Sequence, residues 1–261
     1  MRRWLALERQ ALSAADAMTA VSRNLALYYA LAHSAARFPN PLIFPCAADT
    51  ARFRLRESER EAFRARLGAA GKAVWIYAGS NAPYARLDLA ARLLAAIERA
   101  APGMSRYWIL SRDWRAIRGT YLAAGVPEAA IHGDAAEHEQ VAEWLAAADI
   151  GLLTRDRTLV SWVACPVKFA EYLACGLSVA LAGPVGDLPE IARQLPASVL
   201  PPDGDIAGEE IQTLWRIAAR HCEEGAGAIR LANRRMALER FSWEAHLPRL
   251  ADLYAKMDEA D

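Results

Sequence analysis

The chain has 261 residues, is 54% apolar and carries 31 basic and 31 acidic side chains. It is long enough for a sizeable core and offers no overall field to nucleic acid or an acidic membrane. Its four cysteines, Cys46, Cys165, Cys175 and Cys222, lack a C-x-x-C pair or a histidine at ligand spacing, which argues against a zinc site or a disulfide framework and for a reducing cytoplasm. No apolar run approaches the roughly 20 residues of a membrane span, and Glu8, Arg9 and Gln10 interrupt any signal-peptide core.

Apolar spacing predicts a helix over residues 3 to 15, a short buried strand over 16 to 22 ending in a cap, and a helix over 23 to 36. Three prolines between Phe38 and Pro45 surround a short apolar strand and mark a linker. Asp49 and Phe53 then open a charged helical segment to about residue 67. The stretch before the linker is shorter than the usual domain range of about 50 to 250 residues and reads as a stump.

From Lys72 onward the pattern is regular. Strands are predicted over 73 to 78, 106 to 111, 129 to 132 and 149 to 154, with helices over 87 to 100, 114 to 124 and 137 to 147 between them. A helix opening at Pro166 is followed by a strand over 178 to 182, a helix over 188 to 194 and a strand over 197 to 200, and helices over 205 to 224, 226 to 240 and 243 to 258 end the chain. Alternation with short, nearly all-apolar strands predicts an α/β fold, a Rossmann-like parallel sheet with helices on both faces. Such sheets bind ligands at the carboxyl ends of their strands.

The stretch from Cys165 to Val179 carries the clearest local chemistry. Pro166 suits a first helical position and Gly176 a left-handed stop. Lys168 and Glu171, three apart, share a helix face, and the helix start offers N–H groups and partial positive charge to an anion. A phosphate and a sugar diol would fit there; the plainer alternative is a solvated ion pair. After the strand over 73 to 78, the loop Gly79-Ser-Asn-Ala-Pro-Tyr-Ala-Arg86 can bring backbone and a cation to phosphate, or be an ordinary strand-to-helix turn with a solvated Arg86.

No G-x-G-x-x-G fingerprint or P-loop supports a dinucleotide oxidoreductase or an ATPase. About a dozen residues, with Arg155, Arg157, Ser161 and Trp162, separate the strand over 149 to 154 from Lys168, a loop length that points to function or mobility. His132 and His138 flank Gly133-Asp134 in a loop expected after the third strand, where a structural or base-stacking role outweighs acid/base catalysis. Cys165 and Cys175 bracket the helix as small buried residues, and the eight tryptophans are too dispersed for a nucleic-acid stacking platform.

Six segments carry a resemblance: Ala14-Ala-Asp-Ala-Met-Thr-Ala-Val-Ser22, Pro45-Cys-Ala-Ala-Asp-Thr-Ala-Arg-Phe53, Tyr77-Ala-Gly-Ser80, Ala146-Ala-Ala-Asp-Ile-Gly-Leu-Leu153, Pro166-Val-Lys-Phe-Ala-Glu-Tyr-Leu-Ala-Cys-Gly176 and Phe241-Ser-Trp-Glu244. In this order they resemble family-4 (group 1) glycosyltransferases. The resemblance implies one half of a GT-B fold, the carboxyl-terminal half that binds a nucleotide-sugar donor without a metal, transferring a hexosyl group with retention. It implies two parts: residues 1–48 as a remnant of the acceptor-side domain with its linker, and residues 49–261 as the donor-binding domain ending in a crossing helix.

Carried over residue by residue, the resemblance places Glu171 on the ribose, Lys168 and Arg86 near the diphosphate with the Gly79-Ser80 turn beside it, and the His132-Gly133 loop at the base. Arg155, Pro166 and Val167 complete the implied donor site, and Lys168, Glu171 and Arg86 form its catalytic set. Members commonly carry a second glutamate eight positions before the one at Glu171, where this chain has Val163.

The implied partners are the donor and an acceptor of unknown kind (a sugar, a lipid-linked sugar or a small molecule), with no nucleic acid and no cofactor. Because residues 1 to 45 resemble only the end of the acceptor half, the expectation is a truncated enzyme or one chain of a split one, with an exposed apolar patch on the last helix and a partner chain or a second copy covering the exposed amino-terminal remnant. A non-catalytic binding subunit and, from architecture alone, a sugar-nucleotide epimerase are the competing readings. The expected location is the cytoplasm, free or peripheral at the inner membrane face.

Overall fold

The computed structural model of the protein describes residues 2–34, 36–137, 139–195, 198–200, 208–223 and 226–259. The chain opens with α1 (Arg2–Ser13), β1 (Thr19–Ala20), α2 (Arg23–Ala32), β2 (Leu42–Ile43) and α3 (Glu57–Arg66). The regular part follows as β3 (Ala73–Ala78), α4 (Leu87–Ala100), β4 (Ser105–Leu110), α5 (Trp114–Ala123), β5 (Ile131–Asp134), α6 (Val141–Ala147) and β6 (Ile150–Thr154). Next come α7 (Leu159–Val163), α8 (Val167–Ala174), β7 (Ser178–Ala182), α9 (Leu188–Ala192) and β8 (Ser198–Leu200). The helices α10 (Gly208–Arg220), α11 (Ala226–Arg240) and α12 (Trp243–Asp258) close the chain.

Strand β3, Ala-Val-Trp-Ile-Tyr-Ala, has an apolar or aromatic residue at every position, so both of its faces must be covered. Val74 and Ile76 join Trp108, Trp144 and Phe169 in one layer, while Trp75 and Tyr77 join Leu93, Ile97 and Tyr121 in the other. The main sheet has six parallel strands in the order β5-β4-β3-β6-β7-β8. Strand order therefore reverses at β3, and the crevice outside the carboxyl ends of β3 and β6 is the topological switch point.

The β3–β6 ladder at that point is short, pairing Trp75 with Ile150 and Ile76 with Gly151. A side chain closes it at each end. Below, the Val74 N–H donates to Asp149 Oδ2 at 2.8 Å; above, the Ala78 N–H donates to the Tyr172 hydroxyl at 3.2 Å. Tyr172 reaches this position from α8 by crossing Gly151, where its ring occupies the space of a Cβ. Around Asp149, Arg60, Arg64 and Arg230 donate to the carbonyls of Ala146, Ala147 and Ala148 at the end of α6, where cations complement the helix dipole. Arg60 and Arg64 also pair with the Asp149 carboxylate.

Strands β1 and β2 form a separate parallel pair, with Thr19 opposite Leu42 and Ala20 opposite Ile43. The strand expected over 16 to 22 thus shrinks to two residues, because β2 is its one ladder partner. The helix expected from Asp49 begins only at Glu57, since Asp49 Oδ1 first accepts from the N–H groups of Ala51 and Arg52 at 3.1 Å and turns the chain. A 3₁₀ turn at Glu128–Ala130 delays β5 by two residues, and α6 starts at Val141 rather than at 137. Ala197, residues 205–207 and Glu224, included in expected elements, lie outside the described residues.

Helix α2 is fastened to the segment ahead of α8. Ser22 Oγ accepts from the Leu25 N–H at 2.9 Å, capping α2, and donates to the Val163 carbonyl at 2.8 Å; Asn24 Nδ2 donates to the Trp162 and Gly186 carbonyls. On α12, Trp243, Leu247 and Tyr254 share a helix face and are 53%, 55% and 60% exposed. Among the described residues no helix is long and apolar enough to cross a membrane.

Asp149→Ala leaves Arg60 and Arg64 buried without their carboxylate, which costs about 3–5 kcal/mol. Burial alone would raise the Asp149 pKa, but the Arg60 and Arg64 charges outweigh it and hold the carboxyl below its ordinary value. Its stabilisation is therefore complete above about pH 3.9 and is lost as pH falls through the depressed folded value. Urea unfolding across this range should show that acid-linked loss in the wild type and its absence in Asp149→Ala.

Candidate functional site

Helix α8 follows from its own sequence. Pro166 is the N-cap, with φ −63° and ψ 126°, one position earlier than the first-turn place expected for it; its missing N–H costs nothing there either. At the far end Gly176 has φ +84°, its N–H donates to the Leu173 carbonyl, and the Leu177 N–H donates to the Tyr172 carbonyl. These are the two bonds of a Schellman stop. A helix so bounded buries Phe169, Ala170, Tyr172, Leu173 and Ala174 and turns Lys168 and Glu171 away from the core.

Lys168 and Glu171 line a cavity of about 480 Å³ together with Val167, Ala78, Gly79 and Ser80. Leu110 at the end of β4 and Ser111, Arg112 and Asp113 after it, with Ala136 after β5 and Val141 at the start of α6, form its opposite wall. It opens at the carboxyl ends of β3, β4 and β5, where the strand order predicts a ligand. Among the described cavities, this one joins the switch point to the start of α8.

Tyr77, buried beside the cavity, holds two of the residues that line it. Its hydroxyl donates to the Ser80 carbonyl at 2.6 Å, shaping the turn after β3, and its ring lies 4.6 Å from the Lys168 ammonium, a cation–π contact. Gly79 has φ +151°, and a Cβ there would lie 2.6 Å from Lys168 Nζ. The turn therefore needs glycine both for its backbone and for the approach of the ammonium. Burial, with the Arg155 charge second, lowers the Lys168 pKa to about 8, against a raising influence from Glu171.

The other expected donor residues are placed differently. Arg86 has the left-handed φ of 45° at the start of α4, and its guanidinium is paired with Asp88 at 2.9 Å through two nitrogens, so it does not line the cavity. Arg155 lies over the Tyr84 ring at 4.4 Å, where the Asp156 N–H also bonds the Tyr84 carbonyl at 3.0 Å. Its charge is felt at Lys168 without its side chain lining the hollow.

His132 and Gly133 belong to β5 itself, not to a loop after it. The strand runs through Gly133 because Gly133 and Asp134 pair with Ile109 and Leu110 of β4, with the Trp114 ring over the place of a Cβ; His132 packs 5.5 Å from Trp144, with burial lowering its pKa. Ala136 and Val141 take the wall position expected of that pair. His138 lies outside the described residues. No site role was expected of Tyr77 or of the Ser111-Arg112-Asp113 turn, although every turn that follows a strand in a parallel sheet opens on this edge.

No family model matches the chain, and no curated protein matches it. Solved structures do. A sucrose-phosphate synthase from Thermosynechococcus elongatus superposes with a TM-score of 0.74 at 18% identity over 100% of this chain and 63% of that one. Anabaena HepE, solved in complex with UDP and glucose, gives 0.72 at 15% identity over 98% of this chain and 68% of that one. The C-terminal domain of a group 1 family glycosyl transferase, LpcC, from Francisella tularensis gives 0.55 at 13% identity over 75% of this chain and 99% of that one.

At these identities the likeness is one of fold. The chain has the α/β, Rossmann-like fold of the carboxyl-terminal half of GT-B glycosyltransferases, and it spans about two thirds of the length of the first two structures.

Burial brings the Lys168 pKa to about 8. A pH series of amine acylation read by peptide mass spectrometry should show Lys168 reacting with a midpoint near 8, with the neutral amine gaining above it. A Lys168 midpoint at the ordinary lysine value of about 10.4 would contradict the buried, Tyr77-facing placement.

Proposed function

We propose that this chain binds a nucleoside-diphosphate sugar at the start of α8 and serves as the donor half of a glycosyltransferase. One observation carries the reading: Lys168 and Glu171, one helical turn apart, face the Gly79-Ser80 turn across a single cavity at the switch point of the sheet. A diphosphate needs positive charge and backbone approach, and the Lys168 ammonium, the α8 terminus and Gly79 supply both there. Glu171 is the carboxylate for the ribose diol. The wall of Leu110, Ala136 and Val141 is the apolar surface for a base.

Transfer in this scheme is driven by stabilising the departing nucleoside diphosphate, whose growing charge faces Lys168 and the helix terminus. Arg155 supports this from the next strand end. Arg86 can join only by leaving Asp88. Retention of configuration and independence from a metal come from the family resemblance, as does the division into residues 1–48 and 49–261. HepE, of like fold, has been solved with UDP-glucose, which makes that donor the first probe.

A second reading, a non-catalytic donor-binding subunit that joins a separate acceptor-domain protein, is favoured by the exposed Trp243, Leu247 and Tyr254 on one face of α12. Sugar transfer by the purified chain would exclude it.

Calorimetry with UDP-glucose and GDP-sugars should detect binding to the wild type. Glu171→Ala removes charge-assisted hydrogen bonds worth about 1.5–3 kcal/mol, roughly 10- to 100-fold in Kd. Lys168→Ala should weaken the diphosphate forms while leaving any nucleoside binding less affected. Absence of binding to every nucleotide sugar would overturn the proposal.

A further inference from the structure

Cys46 and Cys165 are 119 residues apart, yet the fold brings them into contact. Cys46 follows Pro45 in the segment after β2, and Cys165 immediately precedes Pro166, the N-cap of α8. The Cys46 N–H donates to Cys165 Sγ at 3.3 Å, which sets the Cys165 sulfur against Cys46. Both segments are held in place. His246 Nε2 bonds the Pro45 carbonyl at 3.0 Å, the Ala48 N–H bonds the Phe241 carbonyl at 2.8 Å, and Ser22 holds the Val163 carbonyl.

The two sulfurs are unequal. Cys165 is 8% exposed, while Cys46 is half-buried and open to a small reagent. The neighbouring Cys165 thiol lowers the Cys46 pKa to about 7, and the influence of Cys46, followed by burial, raises that of Cys165. A low-pKa, reachable thiol beside a buried second thiol is the arrangement of an attacking and a resolving cysteine. The remaining thiols lack it: Cys175 is buried at the end of α8 with its sulfur toward the Ala142 carbonyl, and Cys222 is exposed.

We propose that Cys46 and Cys165 form a reversible disulfide, with Cys46 the sulfur oxidised first and Cys165 the one that resolves it. Hydrogen peroxide is the oxidant. The Cys46 thiolate attacks one peroxide oxygen, the O–O bond breaks, and hydroxide departs to leave Cys46 as a sulfenic acid. The Cys165 sulfur then attacks the Cys46 sulfur, an S–S bond forms as the S–O bond breaks, and the oxygen leaves as water with the Cys165 proton. A dithiol returns two electrons and two protons and restores both thiols. In a reducing compartment such a pair is transient and redox-sensing rather than a structural staple. When closed, it ties the segment after β2 to the start of the helix that carries Lys168 and Glu171.

The test uses the full chain, reduced, freed of reductant, exposed to hydrogen peroxide and alkylated. Intact mass should fall by two hydrogens and recover with dithiothreitol, and non-reducing tryptic digestion should yield peptide 38–52 linked to peptide 158–168. Cys165→Ser should instead leave Cys46 as a sulfenic acid that dimedone traps. A wild type whose Cys46 and Cys165 remain alkylatable, or whose oxidised form is linked through Cys222, would overturn the proposal. So would the same loss of two hydrogens in Cys165→Ser.

Discussion

The structure depends on how two strands are held together where they begin to separate. Strands β3 and β6 share a ladder of only two residue pairs at the centre of the main sheet, and each end of that ladder is finished by a side chain. Asp149 takes the Val74 N–H at the bottom and Tyr172 takes the Ala78 N–H at the top. A buried backbone N–H without a partner is costly, so neither end is optional. The two solutions differ in kind. The lower one is ionic and is enclosed by Arg60 and Arg64, whereas the upper one is a neutral hydroxyl delivered by a helix from outside the sheet.

The upper closure is also what aims the site. Tyr172 can reach Ala78 only by lying across Gly151, and this fixes the rotation of α8 about its own axis. With Tyr172 and Phe169 turned inward, helical geometry sends Lys168 and Glu171 to the opposite side, toward the turn after β3. Gly79 then lets the Lys168 ammonium approach the backbone, and Tyr77 holds both the ammonium and the Ser80 carbonyl. Two polar side chains are positioned by residues that never face the cavity's mouth, which is how a short helix can hold a charged pair without a loop to clamp it.

Much of this helix was legible in the sequence. Pro166 and Gly176 mark its ends through backbone rules that act locally, and the spacing of Lys168 and Glu171 fixes their common face. The parallel sheet was legible too, because apolar strands alternating with helices leave few other architectures. What escaped was contact at long range. Nothing near Tyr172 in sequence says that its hydroxyl serves Ala78, 94 residues away, or that Gly151 makes room for its ring. Gly133-Asp134 looked like a turn after a strand, but pairing with Ile109 and Leu110 of β4 keeps those residues in β5, and the Trp114 ring over Gly133 leaves room for no side chain there. Arg86 looked like a phosphate ligand, while the nearby Asp88 offered a bidentate partner that spacing alone did not rank above an absent one.

The amino-terminal segment is more than a remnant in physical terms. Through Ser22 and Asn24, α2 satisfies the carbonyls of Trp162 and Val163 at the end of α7, and Arg23 reaches Asp187 and Glu190 beyond β7. These bonds bracket the approach to Pro166, so the start of α8 is supported from the sheet by Tyr172 and from the opposite direction by α2. A fragment cut at the proline-rich linker would keep the sheet yet leave the carbonyls that Ser22 and Asn24 now satisfy without those donors. The amino-terminal segment thereby helps to order the start of α8 and the cavity that Lys168 and Glu171 line.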